Sequence, residues 1–323
     1  MTQVAVVVAT PTVLATCLVL WGLGVFTELD STLCSVMAIG WLVVAMGALE
    51  VLLPRTDLPR RPPGLLAADL ALNVLAGAIA LLLPILFYLP LGTRLAIHMG
   101  TTSLWDGMSP PLAIIVCLLS VDFVGYWWHR LQHTTGESWM WRLHSVHHGS
   151  THFDFWMGAR VHPLDVVGFG LCSYGLVALT GAPRFALEFT AFAAAVVGAV
   201  HHTRADTDCG WLNRLVPMAD HHLMHHSIER QHNGNFGNIT TVFDQLFGTW
   251  IDPSKQAPTV GAWSLSSAYP HGDLMFLLLS PFAPWWQRAK APDQSNMPSP
   301  GLCDAVPSPQ AARLTASEQL GRT

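Results

Sequence analysis

The chain contains as many histidines as lysines and arginines together, 16 of each kind in 323 residues, and all but one of the histidines follow residue 128. The grouped ones are His129 and His133; His144, His147 and His148; His201 and His202; and His222, His225 and His226. Residues at i, i+3 and i+4 share one face of a helix, so each group can direct several imidazoles into one space. Neutral imidazole binds iron, zinc, copper and nickel. Because one ion takes no more than about six ligands, this number of histidines predicts a site for two metal ions.

Isolated histidines are a weaker signal, and we interpret His98 and His271 as ordinary polar residues. The grouped histidines lie among aromatic and apolar residues, unlike the low-complexity tracts that store metal. The six cysteines contain no Cys-x-x-Cys pair, and we expect buried thiols rather than disulfides or a sulfur metal site. These are Cys17, Cys34, Cys117, Cys172, Cys209 and Cys303.

The composition indicates that membrane helices position the histidines. Half of the chain, 51%, is hydrophobic and only 11% is charged, against about a quarter in soluble proteins. Four apolar runs approach or reach the length of about 20 residues that crosses a bilayer, and two shorter ones could form a spanning or re-entrant hairpin. The runs are 4–26, 35–53, 66–90 and 111–128, followed by 164–180 and 185–200. We therefore predict an all-α integral membrane protein with four to six transmembrane or re-entrant helices and a helical cap that holds the dimetal site.

The basic residues predict the orientation of these helices. Arg55, Arg60 and Arg61 follow the second apolar run, and loops rich in arginine or lysine stay in the cytoplasm. Alternation then places the histidine cap on the cytoplasmic side. Only two of the basic residues are lysines, Lys255 and Lys290, a bias associated with GC-rich bacterial genomes, so we expect a multi-pass protein of the bacterial inner membrane.

Three regions follow from these patterns. We predict N-terminal transmembrane helices in residues 1–110, the catalytic domain with the histidines in 111–290, and a disordered tail in 291–323, where Pro, Ser, Gln and Ala are frequent. The net charge of −5 without a basic run gives no electrostatic case for nucleic-acid binding.

The order His-x-x-x-His, His-x-x-His-His and a later His-x-x-His-His resembles the fatty acid hydroxylase/sterol desaturase superfamily of membrane di-iron enzymes. The segments between the histidine groups resemble it as well, over residues 111–252. They include Arg160-Val161-His162-Pro163, Asn235-Phe236-Gly237 and Asp244-Gln245-Leu246-Phe247-Gly248-Thr249.

The resemblance implies a set of metal ligands: His129, His133, His144, His147, His148, His202, His222, His225 and His226. Some members of the family have a tenth ligand at the position of Gly198, so His201, His162 or no residue fills that role here. Supporting carboxylates fix the tautomer of metal-bound imidazoles, and the candidates are Asp122, Asp165 and Asp244. Arg160 and Arg130 could support the site or anchor the chain at the membrane interface.

The resemblance also implies the reaction. Two iron ions with O2 as co-substrate would hydroxylate a C–H bond of a membrane lipid, with desaturation as the alternative outcome. The two electrons would come from an external donor, such as a ferredoxin, a cytochrome or a reduced pterin, since the sequence offers no cysteine cluster for iron–sulfur. A membrane zinc hydrolase is a weaker alternative because zinc needs about three histidines and a carboxylate base. A metal transporter would place its ligands in the middle of the membrane.

Overall fold

A computed structural model describes residues 3–27, 31–88, 90–92, 94, 104–136, 138–253, 258–262 and 271–282. These residues form helices and two isolated β-bridges, with no strand among them, which confirms the all-α class. The interpretations of His98, Cys303, Lys255 and Lys290 and the predicted tail lie outside the described residues. The predicted boundary between residues 110 and 111 stays a prediction.

Ten α-helices are named here in chain order. They are α1 (Gln3–Phe26), α2 (Ser31–Leu52), α3 (Leu66–Leu83), α4 (Pro110–Thr134), α5 (Trp139–His148), α6 (Pro163–Gly170), α7 (Arg184–His201), α8 (Ala219–His225), α9 (Val242–Phe247) and α10 (Leu274–Leu279). A π-helical turn, Pro84–Tyr88, extends α3, and a second one, Leu171–Gly175, continues α6 into a further helical turn, Leu176–Leu179.

Helix α7 lies at the centre of the apolar packing. Its Phe192, Val196 and Val200 pack in one buried cluster with α1 and α2, where Cys17 and Met46 are fully buried. On another side α7 packs against α4 in a second cluster. The C-terminal end of α7, which carries the third histidine group, is thereby held between the N-terminal helices and α4.

Three helices at the site, α4, α5 and α6, begin with recognisable start signals. Two prolines open α4, where the missing N–H of proline costs no hydrogen bond. The hydroxyl of Ser138 accepts a hydrogen bond from the backbone N–H of Trp141 and caps α5. His162 precedes Pro163 and accepts, through Nδ1, a hydrogen bond from the N–H of Leu164 at the start of α6. These signals fix where the three helices start, and in α4 and α5 they therefore set which way the histidines point.

Three helices are long and apolar enough to cross a membrane: Leu66–Gly92, Pro110–Thr134 and Arg184–His201. Shorter apolar helices occupy Ala9–Gly24, Met37–Leu52 and Pro163–Leu179. The six helices correspond to the six predicted apolar runs, and the last run, 185–200, proves long enough to span. Bulky side chains are left exposed on them, such as Val44 (66%), Val74 (70%) and Leu81 (64%). Lipid is the solvent that suits such surfaces, so the chain is a membrane protein; the number of spans stays a prediction.

Candidate metal centre

The nine predicted ligands converge in two buried groups. The five-histidine group consists of His129, His133, His144, His148 and His225, and the four-histidine group of His147, His202, His222 and His226. Within each group, one ring nitrogen from every histidine lies within 4.8 Å of those of the others. The groups adjoin, since the rings of His148 and His226 stack with centroids 4.3 Å apart.

The His-x-x-His-His pattern explains how one helix serves both groups. The three positions share one broad face of a helix, but residue i+4 is offset from residue i to one side and residue i+3 to the other. In α5, His144 and His148 enter the five-histidine group, and His147 enters the other. At α8 the assignment is reversed, because His222 and His226 enter the four-histidine group. Each of these helices therefore lies between the two groups.

The ring nitrogens face one another at distances that suit a bound cation. The Nε2 atoms of His129 and His144 are 3.1 Å apart, and Nε2 of His202 lies 2.9 Å from that of His222. Two nitrogens bound at right angles, each about 2.1 Å from a metal ion, lie about 3.0 Å apart. The Nε2 atoms of further members, His133, His148 and His225, are buried without a hydrogen-bond partner among the described residues. The donor set and its spacing therefore fit two metal ions.

Backbone carbonyls set the tautomer of three rings. Nδ1 of His129 donates to the carbonyl of Phe236 (2.9 Å), Nδ1 of His225 to that of Gly234 (2.8 Å), and Nδ1 of His202 to that of Gly198 (2.9 Å). A carbonyl can only accept, so the proton is on Nδ1 and the lone pair is on Nε2. The rings thus present their unprotonated nitrogen to the site, as metal binding requires.

Among the predicted carboxylates, Asp165 contacts an imidazole. Its Oδ2 lies 3.1 Å from Nδ1 of His144, and its Oδ1 accepts hydrogen bonds from Gln132 (2.6 Å) and Trp128 (3.3 Å). This is the carboxylate–imidazole pairing that raises ligand basicity and fixes ring orientation.

Asp122 and Asp244 differ from the prediction, because both bind the backbone of one loop rather than an imidazole. Asp244 accepts from the N–H of Phe236 (2.8 Å) and Gly237 (2.7 Å). Asp122 accepts from the N–H of Ile239 (2.9 Å) and from both N–H and hydroxyl of Thr240. The two carboxylates therefore hold the loop whose Phe236 carbonyl orients His129.

The same loop explains the Asn235-Phe236-Gly237 motif. Asn235 has a positive φ of 58°, a region that asparagine tolerates better than most residues. Its side-chain amide donates to the carbonyls of His221 (2.9 Å) and Ile251 (3.0 Å). A Cβ on Gly237 would lie 2.1 Å from the carbonyl oxygen of Thr240, so only glycine fits there.

Arg160 is fully buried, which rules out the alternative of an interfacial anchor. Its guanidinium donates to the carboxylate of Asp69 (2.7 Å) and to the carbonyls of Val146 (3.1 Å) and His271 (3.0 Å). Val146 directly precedes His147, so Arg160 supports α5 beside the site. Arg130, by contrast, lies over the ring of Trp127, 5.2 Å from its centroid.

Neither candidate for a tenth ligand enters the two groups. Both ring nitrogens of His162 are engaged, Nδ1 with the N–H of Leu164 and Nε2 with the carbonyl of Leu278 (3.1 Å). His201 stacks on His222 with ring centroids 4.0 Å apart. It therefore lies beside the four-histidine group rather than in it.

Burial keeps these imidazoles neutral. Loss of hydration, reinforced by the neighbouring histidines, lowers the pKa of His147, His148, His222, His225 and His226 well below 6.5. Burial lowers the pKa of His202 to about 4. Near neutral pH all six rings are uncharged, which is the form that binds a metal ion.

Two carboxylates near the site were missed in the sequence, Glu50 in α2 and Asp69 in α3. Glu50 bonds to the segments around Phe155 and Arg204, and Asp69 to Arg160. The sequence contained one indication of their importance, since both lie inside apolar runs, where an ionisable residue is energetically costly and needs a partner.

Comparison with known proteins identifies a family and several relatives that resemble this chain. Residues 114–249 match the fatty acid hydroxylase family. The chain is 26% identical to an ornithine lipid hydroxylase of Rhizobium tropici over 147 residues (45% of the chain, 44% of the relative), and 25% identical to an alkylglycerol monooxygenase of Caenorhabditis elegans over 161 residues (48% and 30%). It is 30% identical to a very-long-chain aldehyde decarbonylase of Oryza sativa subsp. japonica over 140 residues (42% and 45%).

The matched segments cover less than half the length of these relatives. No solved structure matches the chain significantly. All nine converging histidines lie within the matched residues, on the same segments that resemble the family in sequence. Residues 114–249 thus form a fatty acid hydroxylase domain and belong to the fatty acid hydroxylase/sterol desaturase superfamily.

Proposed function

We propose that the chain is a membrane di-iron oxygenase that hydroxylates a C–H bond of a lipid, using O2 and two electrons from an external donor. The observation that carries the proposal is the convergence of nine buried imidazoles in two adjoining groups of five and four. Two iron ions bound there would supply the activation of O2 that protein side chains cannot perform. The protein's own residues orient the rings and exclude water.

The ligand set favours iron over zinc. Zinc sites in proteins are almost always tetrahedral, with four ligands or with three and a water. Five imidazoles in one group exceed that number. A hydrolase would also need a carboxylate base, but the carboxylate in contact with the rings, Asp165, is occupied by His144, Gln132 and Trp128.

The position of the groups argues against a transporter and for a lipid substrate. His129 and His133 lie in the last turns of α4, and His202 follows the end of α7. Both helices are long enough to span a bilayer, so the site lies at their ends rather than in mid-membrane. A lipid chain can reach such a site from the bilayer. The relatives named as an ornithine lipid hydroxylase and an alkylglycerol monooxygenase support a lipid substrate and an oxygenation.

The site faces the cytoplasm in our proposal, in a bacterial inner membrane. The support is the basic loop after α2, which carries Arg55, Arg60 and Arg61. A cytoplasmic site is accessible to a soluble electron donor, for which a ferredoxin, a cytochrome and a reduced pterin are the candidate classes.

Metal analysis of the purified full chain, joined to lipid profiling, tests the proposal. We expect two iron ions per chain and, in cells that express the gene, a lipid that gains one oxygen atom. One zinc ion and no iron would contradict the metal assignment. A lipid that loses two hydrogens without gaining oxygen would show that the reaction is desaturation rather than hydroxylation.

A further inference from the structure

We propose that the N-terminal segment around residues 50–69, which joins α2 to α3, positions the four-histidine group through Glu50, Arg55 and Asp69, and that Glu50 does so selectively. All three residues precede the fatty acid hydroxylase domain at 114–249. The inference rests on the proposed dimetal centre. It makes the N-terminal helices part of the metal site rather than membrane anchors alone.

Glu50 holds two segments of the chain, one at Phe155 and one that follows His202. Its Oε1 accepts hydrogen bonds from the N–H of Phe155 (2.7 Å), the N–H of Arg204 (2.8 Å) and the hydroxyl of Thr203 (3.1 Å). Thr203 and Arg204 directly follow His202, the residue at which the backbone leaves α7. One carboxylate oxygen thus holds the chain next to this histidine, because backbone N–H groups removed from water need an acceptor.

Arg55 makes the second connection, to α8. Its guanidinium forms an ion pair with Asp220, in the first turn of the helix that carries His222. The backbone N–H of Arg55 also donates to the carbonyl of Arg204 (2.9 Å), and the N–H of Asp206 donates to the carbonyl of Leu53 (3.0 Å). The residues after α2 are therefore joined both to α8 and to the segment that follows His202.

Asp69 makes the third connection, to α5. It pairs with Arg160 (2.7 Å), and both side chains are fully buried. Arg160 in turn donates to the carbonyl of Val146 (3.1 Å), the residue before His147. Each segment that supplies a histidine to the four-histidine group is thus tied to the N-terminal part of the chain.

The rings of this group depend on such backbone support. Nδ1 of His147, His222 and His226 has no hydrogen-bond partner among the described residues. In the five-histidine group, by contrast, His144 is oriented by Asp165, and His129 by the carbonyl of Phe236. These partners lie inside the matched domain. Helices α5 and α8 also supply the five-histidine group, whereas the segment held by Glu50 supplies His202 to the four-histidine group alone. Removing the Glu50 contact should therefore disturb the four-histidine group and spare the other.

Metal stoichiometry of the purified full chain, reconstituted with Fe2+ without oxygen, provides the test. We expect Glu50→Ala to lower iron from about two ions per chain to about one. Glu50→Gln should retain both ions, because the amide oxygen can still accept the three hydrogen bonds. Glu188→Ala is the matched control with unchanged iron, since Glu188 is exposed and its ion pair among the described residues is with Arg184, at the opposite end of α7.

Two histidine backgrounds identify which ion is lost, because effects at one site are non-additive. In a His147→Ala background the remaining ion occupies the five-histidine group, and Glu50→Ala should cause no further loss. In a His144→Ala background the remaining ion occupies the four-histidine group, and Glu50→Ala should remove it. Equal losses in both backgrounds would overturn the selectivity.

The outcomes separate this inference from the proposed function. Two iron ions in both the wild type and Glu50→Ala overturn the inference alone. A wild type without two metal ions contradicts the proposed centre and the inference together. Should Glu50→Ala fail to insert, Asp220→Ala tests the connection at α8 by removing the partner that Arg55 has on that helix, and we expect the loss of one ion; retention of both would contradict the inference.

Discussion

Oδ2 of Asp165 lies 3.1 Å from Nδ1 of His144, whose Nε2 is 3.1 Å from Nε2 of His129. The carboxylate accepts the Nδ1 proton, so the lone pair of His144 faces the five-histidine group. One aspartate from α6 thus sets the direction of a ring on α5 and joins that helix to the site.

We expect Asp165→Ala to weaken metal binding at the five-histidine group by about 10–100-fold, the usual effect of removing a residue that orients a ligand. Asp165→Asn should fall between Ala and wild type, because its amide oxygen can accept from His144 without the negative charge. Titration with Fe2+ or Co2+ measures the affinity. Asp106→Ala is the control, since Asp106 lies in the turn before the opposite end of α4. Equal affinities in Asp165→Ala and this control would show that Asp165 does not support metal binding.

Substitution of single ligands tests the assignment to two groups. His147→Ala and His225→Ala should each reduce iron from about two ions per chain to about one, and both should abolish the oxygenated lipid. The reason is that each removes a ring from a different group. His232→Ala, in a short 3-10 turn outside both groups, should leave iron and product unchanged. Product formation by both ligand variants would contradict the assignment.

The spacing of the histidines predicted their convergence, because the i, i+3 and i+4 relationship on a helix is local and does not depend on the tertiary fold. Their division between two groups could not be predicted, since it depends on how α5 and α8 dock on the other helices. The cap formed by His162 was available in the sequence, as proline at the first helical position marks a helix start. By its type alone, His162 is instead a candidate for the tenth ligand.

Contacts between segments that are far apart in the chain were the hardest features to predict from the sequence. Asp122 lies two turns before His129, which suggested a bond to an imidazole, but its partners are 117 and 118 residues away in the chain. Glu50 reaches across 105 residues to Phe155. A buried carboxylate predicts that a partner exists, and only the packing of helices identifies the partner.

Acidification should destabilise the metal-free protein. Burial lowers the pKa of six site histidines in the folded state, with His202 at about 4, whereas histidines of the unfolded chain titrate near 6.5. Between these values the unfolded state binds more protons, so stability rises with pH and is lost as the pH falls. Asp244, whose pKa is raised to about 6, acts in the opposite direction, but the six site histidines with a lowered pKa outnumber such carboxyl groups.

The apparent melting temperature of the metal-free protein in detergent, measured between pH 8 and pH 5, checks this expectation. It should be nearly constant above pH 7 and fall below about pH 6.5. Bound metal competes with protons for the same nitrogens, so the metal-loaded protein should keep its stability to a lower pH. A melting temperature that rises on acidification would show that the buried histidines do not control stability.

A glycine pair tests the loop that orients His129. In Gly237→Ala the added Cβ would lie 2.1 Å from the carbonyl oxygen of Thr240 and 2.8 Å from Oδ2 of Asp244. Such overpacking costs about 1–3 kcal/mol, and because the displaced loop carries the Phe236 carbonyl, iron should be lost from the five-histidine group. In Gly198→Ala the Cβ meets nothing within 4 Å inside α7, and alanine there should stabilise the helix by about 0.5–1 kcal/mol. Thermal unfolding and iron content of the two variants should therefore diverge, and matching behaviour would mean that the loop does not hold the ring.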